Sequence, residues 1–215
     1  MKIAFFIAHA SAISVLIPLG LAIAHWKKIP TEISTLKWVL IASFIIDVTS
    51  FFFMKFSMNT HPLGNAYLFI QFSILFYIFS FYNSRKILLK FLYAFFVVFY
   101  AINLFFIQSP QVFNTNSNVI SSLILIGLSI SFFYRLLNEL SIFHVHRLPM
   151  LWLSFATLIY YSGTLFLFLI SNYLFQSTDE SNIMMWILHN LLNITKNILF
   201  AIALWQSYRT VRSSI

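Results

Sequence analysis

Seven runs of apolar residues alternate with short polar breaks along nearly the whole chain. A helix needs about 20 mostly apolar residues to cross the hydrocarbon core of a bilayer, where its backbone groups must bond to one another. Each run is therefore predicted to be a transmembrane helix, and no break is long enough for a soluble domain. The sequence predicts one all-α domain, residues 1–215, built as a seven-helix membrane bundle. The runs are approximately Ile3–Trp26, Leu36–Met54, Gly64–Tyr82, Ile87–Ile107, Val119–Leu137, Pro149–Leu174 and Ile183–Tyr208.

The composition supports a membrane protein. Of the 215 residues, 60% are hydrophobic and only 8% are charged, whereas a soluble domain has about a quarter of its residues charged. This difference excludes a soluble enzyme, a nucleic-acid-binding domain and a disordered segment. The chain contains no cysteine, which excludes disulfides, thiolate catalysis and cysteine-based metal sites. The lipid bilayer is the first predicted partner, and no nucleic acid is expected.

Basic residues are concentrated in alternate loops and in the tail. They are Lys27, Lys28, Lys37, Arg85, Lys86, Lys90, Arg135, Arg147, Arg209 and Arg212. The N-terminus and the remaining loops, which follow spans 2, 4 and 6, have only two basic residues, Lys2 and Lys55, together with the acidic Asp179 and Glu180. Because short basic loops stay on the cytoplasmic side, the N-terminus is predicted outside and the C-terminus inside. The net charge of +8 results mainly from this sorting.

The first apolar run is also similar to a cleavable signal peptide, since it follows Met1-Lys2 and ends in Ala22-Ile23-Ala24. The run is longer than a usual signal core. Lys27 and Lys28 directly after it would hold that end in the cytoplasm. We therefore interpret it as the first transmembrane span.

Two charged residues lie near the middle of predicted spans: Asp47 in the second and Lys196 in the seventh. A charge at the bilayer centre costs about 2.5 to 3.5 kcal/mol on insertion scales, so each needs a physical reason. Counting 1.5 Å per residue places both at a similar depth. The two residues could form a buried ion pair that only stabilises the bundle, or they could belong to a functional site.

The seventh span has one polar face, which is predicted to look into the bundle. It consists of His189, Asn190, Asn193, Lys196 and Asn197. Other spans add polar groups that share a face: Ser43, Asp47 and Ser50; Tyr67 and Gln71; Tyr100 and Asn103; and Thr157, Tyr160, Tyr161 and Thr164. These groups could simply form hydrogen bonds between helices, each of which would stabilise the bundle by about 0.6 kcal/mol. Alternatively, they could form a cavity that binds a small ligand or passes a proton.

Signals for metal binding and catalysis are weak. His9 and His189 lie at a similar depth, but no third ligand is evident nearby, so no metal is predicted. The chain has no His-Glu-x-x-His and no Gly-x-Ser-x-Gly motif, and Asp47 is the only acidic residue within a span. Intramembrane hydrolysis would need a carboxylate pair, or a nucleophile beside a base. An enzyme is thus not supported.

Seven spans with a lysine midway along the last one, here Lys196, resemble the microbial rhodopsins. In that family the lysine carries retinal as a Schiff base. The resemblance would imply retinal on Lys196 with Asp47 as its counterion. The chain departs from the family at Gln71, where the third span would carry an acidic counterion, and at Leu192, where the seventh span would carry Asp. Our leading prediction therefore contains no cofactor.

Three segments are similar to an uncharacterised family of small bacterial seven-span proteins. The segments are Ile45-Ile46-Asp47, Asn65-Ala66-Tyr67 through Gln71-Phe72, and His189 to Phe200. In that family the position of Gln71 is often Glu. The resemblance implies no activity, but it implies location in the bacterial inner membrane.

We expect a non-enzymatic membrane protein whose polar core binds or senses a small ligand and signals through a cytoplasmic or membrane partner. Three alternatives stay open: a transporter or proton-coupled carrier that uses Asp47 and Lys196, a retinal-binding protein, and a membrane-embedded lipid-modifying enzyme. The predicted site residues are Asp47, Gln71, His189, Asn193, Lys196 and Asn197, with His9, Tyr67 and Tyr160 as secondary members.

Overall fold

The computed structural model describes residues 2–139, 145–174 and 179–212. Within these ranges the chain is helical and has no strand, and seven segments are long and apolar enough to cross a membrane. The predicted all-α, seven-helix membrane architecture is confirmed.

The spans are built from the following helices. Span 1 contains α1 (Lys2–Ser14) and α2 (Leu16–Ala24), and a short helix, α3 (Thr31–Ser34), connects it to span 2, α4 (Leu36–Lys55). Span 3 is α5 (His61–Phe81), and span 4 is α6 (Lys86–Ile102) followed by a π-helical turn (Asn103–Ile107). Spans 5, 6 and 7 are α7 (Thr115–Glu139), α8 (Pro149–Leu174) and α9 (Asp179–Arg212).

Helices α5, α7 and α9 begin three or four residues earlier than the apolar pattern predicts, and at α5 and α7 a nearby asparagine side chain accepts a bond from a backbone N–H of the first turn. The backbone N–H of His61 donates to Asn59 Oδ1 at 2.9 Å, and Pro62 follows in the first turn of α5. The backbone N–H of Ser117 donates to Asn114 Oδ1 at 3.2 Å at the start of α7. Each cap satisfies a backbone donor that has no partner inside the helix.

Six of the spans form a closed ring around the interior. Helix α9 packs on α8 and on both helices of span 1, α8 packs on α7, α7 on α5, α5 on α4, and α4 on α2. Helix α6 lies outside this ring against α5 and α7. Spans 2 and 7 are therefore the two neighbours of span 1 in the ring and do not pack extensively on each other.

We call the end of the bundle where α1 begins the amino-terminal end, and the opposite end the carboxy-terminal end. The tightly packed apolar core occupies the middle and the carboxy-terminal half. Its largest fully buried side chains include Leu36, Leu40, Phe72, Leu75, Ile78, Phe96, Leu153, Phe200 and Leu204. The outer surface carries many exposed large apolar side chains, among them Phe51, Phe91, Phe106 and Phe166, as expected where lipid is the solvent.

The chain between spans 4 and 5 is fixed across the amino-terminal end by an asparagine network. The fully buried Asn103 donates to Asn114 Oδ1 at 2.5 Å and to Ser117 Oγ at 3.2 Å. Asn65 on α5 donates to the carbonyls of Pro110 and Val112 at 3.0 and 3.3 Å. These bonds hold residues 108–114, here called the roof segment, over the interior.

Candidate functional site

A polar cavity of about 360 Å³ lies in the amino-terminal half of the bundle, below the roof segment. Spans 1, 2, 3, 6 and 7 all contribute to its wall. The polar side chains that line it include Asp47, Tyr67, Gln71, Tyr160, His189 and Asn193. This volume is at the small end of the range of ligand sites in proteins.

The cavity reaches from the amino-terminal end to about the middle of the bundle. Thr60 and His61 line it near that end, while Ser43 and Gln71 line its deepest part. No described residue of α5 after Gln71, and none of α4 before Ser43, lines the cavity, and Leu40 and Leu75 at that level belong to the apolar core. The cavity therefore ends at the core, which fills the carboxy-terminal half of the bundle.

Asp47 projects from α4 into the cavity wall and is partly exposed there. No described residue donates a hydrogen bond to its carboxylate, and the main favourable interaction is the attraction of the Lys196 ammonium. The phenols of Tyr67 and Tyr160 are also close enough to interact electrostatically with it. Because Asp47 lines the cavity, its carboxylate is accessible to a molecule that occupies this space.

Lys196 is only 2% exposed and does not line the cavity. Its Nζ lies 4.2 Å from the centre of the Tyr160 ring, a distance at which a cation is attracted to the aromatic face. No ion pair joins Asp47 and Lys196 within the described residues, although the two charges attract each other. The reason is the ring of helices, in which span 1 separates α4 from α9.

Gln71 and His189 both line the cavity, and each has one buried polar atom without a hydrogen-bond partner among the described residues. Gln71 is 5% exposed, and its Nε2 makes no hydrogen bond. The Nδ1 atom of His189 is also buried and unpaired, among the rings of Tyr160, Phe168 and Trp186. Asn114 Nδ2, Ser154 Oγ and Ser207 Oγ are also buried without a partner, so what distinguishes Gln71 and His189 is that both residues line the cavity.

Asn193 and Asn197 both bond to span 1. Asn193 Nδ2 donates to Ser11 Oγ at 2.9 Å, and Asn197 Nδ2 donates to Ser14 Oγ at 2.8 Å. Asn193 still lines the cavity, but Asn197 does not. Asn197 thus holds two helices together, and the sequence analysis missed its partner. The sequence contained one sign of this contact: Ser11 and Ser14 lie three residues apart in a mostly apolar span.

His9 lies apart from the other predicted site residues. Its ring is exposed on α1, where Nδ1 hydrogen-bonds with the Phe5 carbonyl at 2.8 Å, and it does not line the cavity. His9 and His189 therefore do not share a site. Among the described residues, no three His, Asp or Glu side chains converge as metal ligands would.

The sequence analysis also missed the aromatic lining near the amino-terminal end. Phe113 of the roof segment lies with its ring centre 6.5 Å from that of His61 and 5.3 Å from that of Phe168. All three side chains line the cavity. Phe113 sits in a polar loop, so the span pattern contained no sign that it covers the site.

Retinal does not fit the lysine as the structure places it. A Schiff base would require the Lys196 amine to open into a cavity long enough for the polyene. The amine lies instead against the Tyr160 ring, and the residue is outside the cavity wall. Gln71 faces the cavity at the depth where a rhodopsin would carry an acidic group.

Comparisons of the chain with protein-family models, with curated proteins and with solved structures found no match.

Proposed function

We propose that this multi-pass membrane protein binds a small ligand in its polar cavity and signals this binding through a partner protein. The proposal depends on two residues of the cavity wall. No described residue donates a hydrogen bond to the Asp47 carboxylate, and the Gln71 Nε2 atom has no described hydrogen-bond partner. Both would be satisfied by a molecule that presents a hydrogen-bond donor or a cationic group to Asp47 and an acceptor to Gln71.

The one-sided shape of the cavity supports binding over passage. The polar groups lie in the amino-terminal half, and buried Leu, Ile and Phe side chains fill the other half. A transport path would need polar or water-filled space on both sides of Asp47. The described residues of the packed core line no part of this cavity deeper than Ser43 and Gln71.

The charge pattern supports exposure of the cavity to the outside. The basic residues lie mostly at the carboxy-terminal end, in the loops after spans 1, 3 and 5 and in the tail. By the positive-inside rule, that end faces the cytoplasm and the cavity faces the exterior. The proposed location is the bacterial inner membrane, which also agrees with the family resemblance.

Helix α9 provides a route by which binding could be reported. It contributes His189 and Asn193 to the cavity wall and continues to Arg212 at the carboxy-terminal end. Its 34 residues span about 50 Å at 1.5 Å per residue. A ligand that shifts α9 at the cavity would also shift its basic end, where a cytoplasmic or membrane partner would detect the change.

Thiol labelling tests the one-sided exposure, and the absence of native cysteine provides a clean background. The cavity variant is Ser50→Cys, with Ser109→Cys and Ser84→Cys as markers of the amino- and carboxy-terminal ends. We expect a membrane-impermeant maleimide to label Ser50→Cys and Ser109→Cys from outside the cell only. It should label Ser84→Cys from the cytoplasmic side only. Labelling of Ser50→Cys from both sides would contradict the proposal and would favour a carrier.

A second measurement tests binding itself. The wild-type chain and a Gln71→Leu variant are incubated with a small-molecule extract of the host cell, washed, and analysed by mass spectrometry. We expect at least one molecule to be retained by the wild type and lost from Gln71→Leu. Ser162→Ala, on the exposed face of α8, is the control and should retain that molecule. Equal retention by the wild type and Gln71→Leu would overturn the proposal.

A further inference from the structure

Among the described residues that line the cavity, only one carries a formal charge, and that charge is negative. Among the residues that line it, Asp47 is the only one that is charged at neutral pH with histidine neutral, because no Lys or Arg contributes to the wall. The nearest cation, Lys196, attracts Asp47 but makes no hydrogen bond with it. The site thus offers an incompletely neutralised carboxylate.

The surroundings of Asp47 are aromatic. Tyr67, Tyr160 and Tyr161 line the deeper part of the cavity, and Phe113 and Trp186 line the part nearer the amino-terminal end. Aromatic faces attract ammonium groups most strongly where water is excluded. The structure already contains one such contact, since the Lys196 ammonium lies over the Tyr160 ring.

We propose that the ligand is an organic cation whose ammonium group lies beside Asp47 among these rings, with an oxygen acceptor that takes the Gln71 Nε2 hydrogen. This inference rests on the proposed function and names the chemical class of its ligand. A carboxylate without hydrogen-bond donors binds a positively charged group preferentially. An unpaired amide N–H binds a hydrogen-bond acceptor, which would lie on the same ligand molecule. Anions are disfavoured because Asp47 would repel them.

The structure offers two routes to the cavity. One leads from the amino-terminal end, past His61 and Phe113. The other would be lateral, at span 1, where the small side chains of Ala8 and Ala12 line the cavity and are exposed. A water-soluble amine would use the first route. A lipid-like amine would use the second and leave its tail in the bilayer.

Calorimetric titration of the full chain in a neutral maltoside detergent tests the inference. The probes are choline and its uncharged isostere 3,3-dimethylbutan-1-ol, with dodecyltrimethylammonium and dodecanol as the matched amphiphilic pair. We expect the charged member of at least one pair to bind about tenfold or more tightly than its neutral counterpart. Tighter binding of choline would identify the ligand as a water-soluble amine. Tighter binding of dodecyltrimethylammonium would identify it as a lipid-like amine.

Variants then separate the roles of the residues. Asp47→Asn keeps the shape but removes the charge, and it should weaken binding of the charged probe about tenfold or more. Glu32→Gln removes a carboxylate from the carboxy-terminal end, outside the cavity, and should leave binding unchanged. Elution as a monodisperse peak and an unchanged melting temperature show that each variant is folded.

The outcomes distinguish this inference from the proposed function. Equal binding of charged and neutral probes, or binding that Asp47→Asn does not weaken, overturns the choice of a cation. If a neutral or anionic molecule is retained from the extract in a Gln71-dependent way, the cation inference is wrong and the binding function stands. If neither the probes nor the extract bind, both proposals are wrong.

Discussion

The ammonium of Lys196 lies 4.2 Å from the centre of the Tyr160 ring, and Tyr160 also lines the polar cavity. The Tyr160 ring therefore contacts the buried lysine and also forms part of the wall of the cavity that contains Asp47. This contact explains how a cation is kept in the middle of the membrane without a direct carboxylate partner.

Loss of the Tyr160 ring should destabilise the protein mainly through Lys196. We expect Tyr160→Leu to lower the free energy of unfolding in mixed micelles by about 2 kcal/mol, and Tyr160→Phe, which keeps the ring, by less than about 1 kcal/mol. In a Lys196→Met background the cost of Tyr160→Leu should fall. Equal costs of Tyr160→Leu in both backgrounds would show that the ring does not hold the lysine.

A double-mutant cycle measures the attraction between Asp47 and Lys196. Because no hydrogen bond joins them, we expect the coupling between Asp47→Asn and Lys196→Met to be about 1 kcal/mol in equilibrium unfolding. Breaking a directly bonded buried pair costs about 3 to 5 kcal/mol. A coupling in that higher range would show that the two side chains meet in the folded protein.

The bonds from Asn193 and Asn197 to span 1 should stabilise the bundle. We expect Ser14→Ala, which leaves the Asn197 amide without its acceptor, to cost about 0.6 to 1.7 kcal/mol, the range for such bonds in membrane proteins. Ser162→Ala is the matched control, because Ser162 is exposed and bonds within its own helix. Losses of equal size in the two variants would argue against a stabilising role for the Ser14 contact.

Close packing between α8 and α9 depends on Gly163. A Cβ atom at this position would lie 2.6 Å from Leu192 Cδ1, so Gly163→Ala requires the leucine to move. We expect a loss of about 1 kcal/mol in unfolding free energy. Gly127→Ala is the control: a Cβ there meets no atom within 4 Å. That change should be neutral or stabilising by up to about 1 kcal/mol. Similar effects at both glycines would contradict the packing argument.

The roof segment should depend on Asn103. We expect Asn103→Ala to cost about 1 to 3 kcal/mol, because it leaves buried partners such as Asn114 and Ser117 without their donor. It should also speed maleimide labelling of Ser50→Cys beneath the roof. Asn138→Ala, at an exposed position where the side chain bonds within its own helix, should change neither quantity. Unchanged labelling in Asn103→Ala would show that the roof segment does not limit access.

The seven spans were predictable from the sequence, because the free energy of placing a helix in a membrane depends mainly on its own residues. The polar face of α9 and its inward direction also followed from helical periodicity. Asp47, Tyr67, Gln71, Tyr160, His189 and Asn193 were predicted as site residues, and the structure brings them to one cavity. The orientation of the termini stays a prediction from the charge pattern.

The sequence by itself determined which segments cross the membrane and which polar residues they carry to its middle. Only the tertiary structure decided which of those residues meet. It set Lys196 against Tyr160, joined Asn197 to Ser14 and left His9 on the surface. The physical reason is that periodicity gives the face of each helix but not its neighbours. Neighbours are chosen by side-chain packing between segments distant in the chain, such as Gly163 against Leu192.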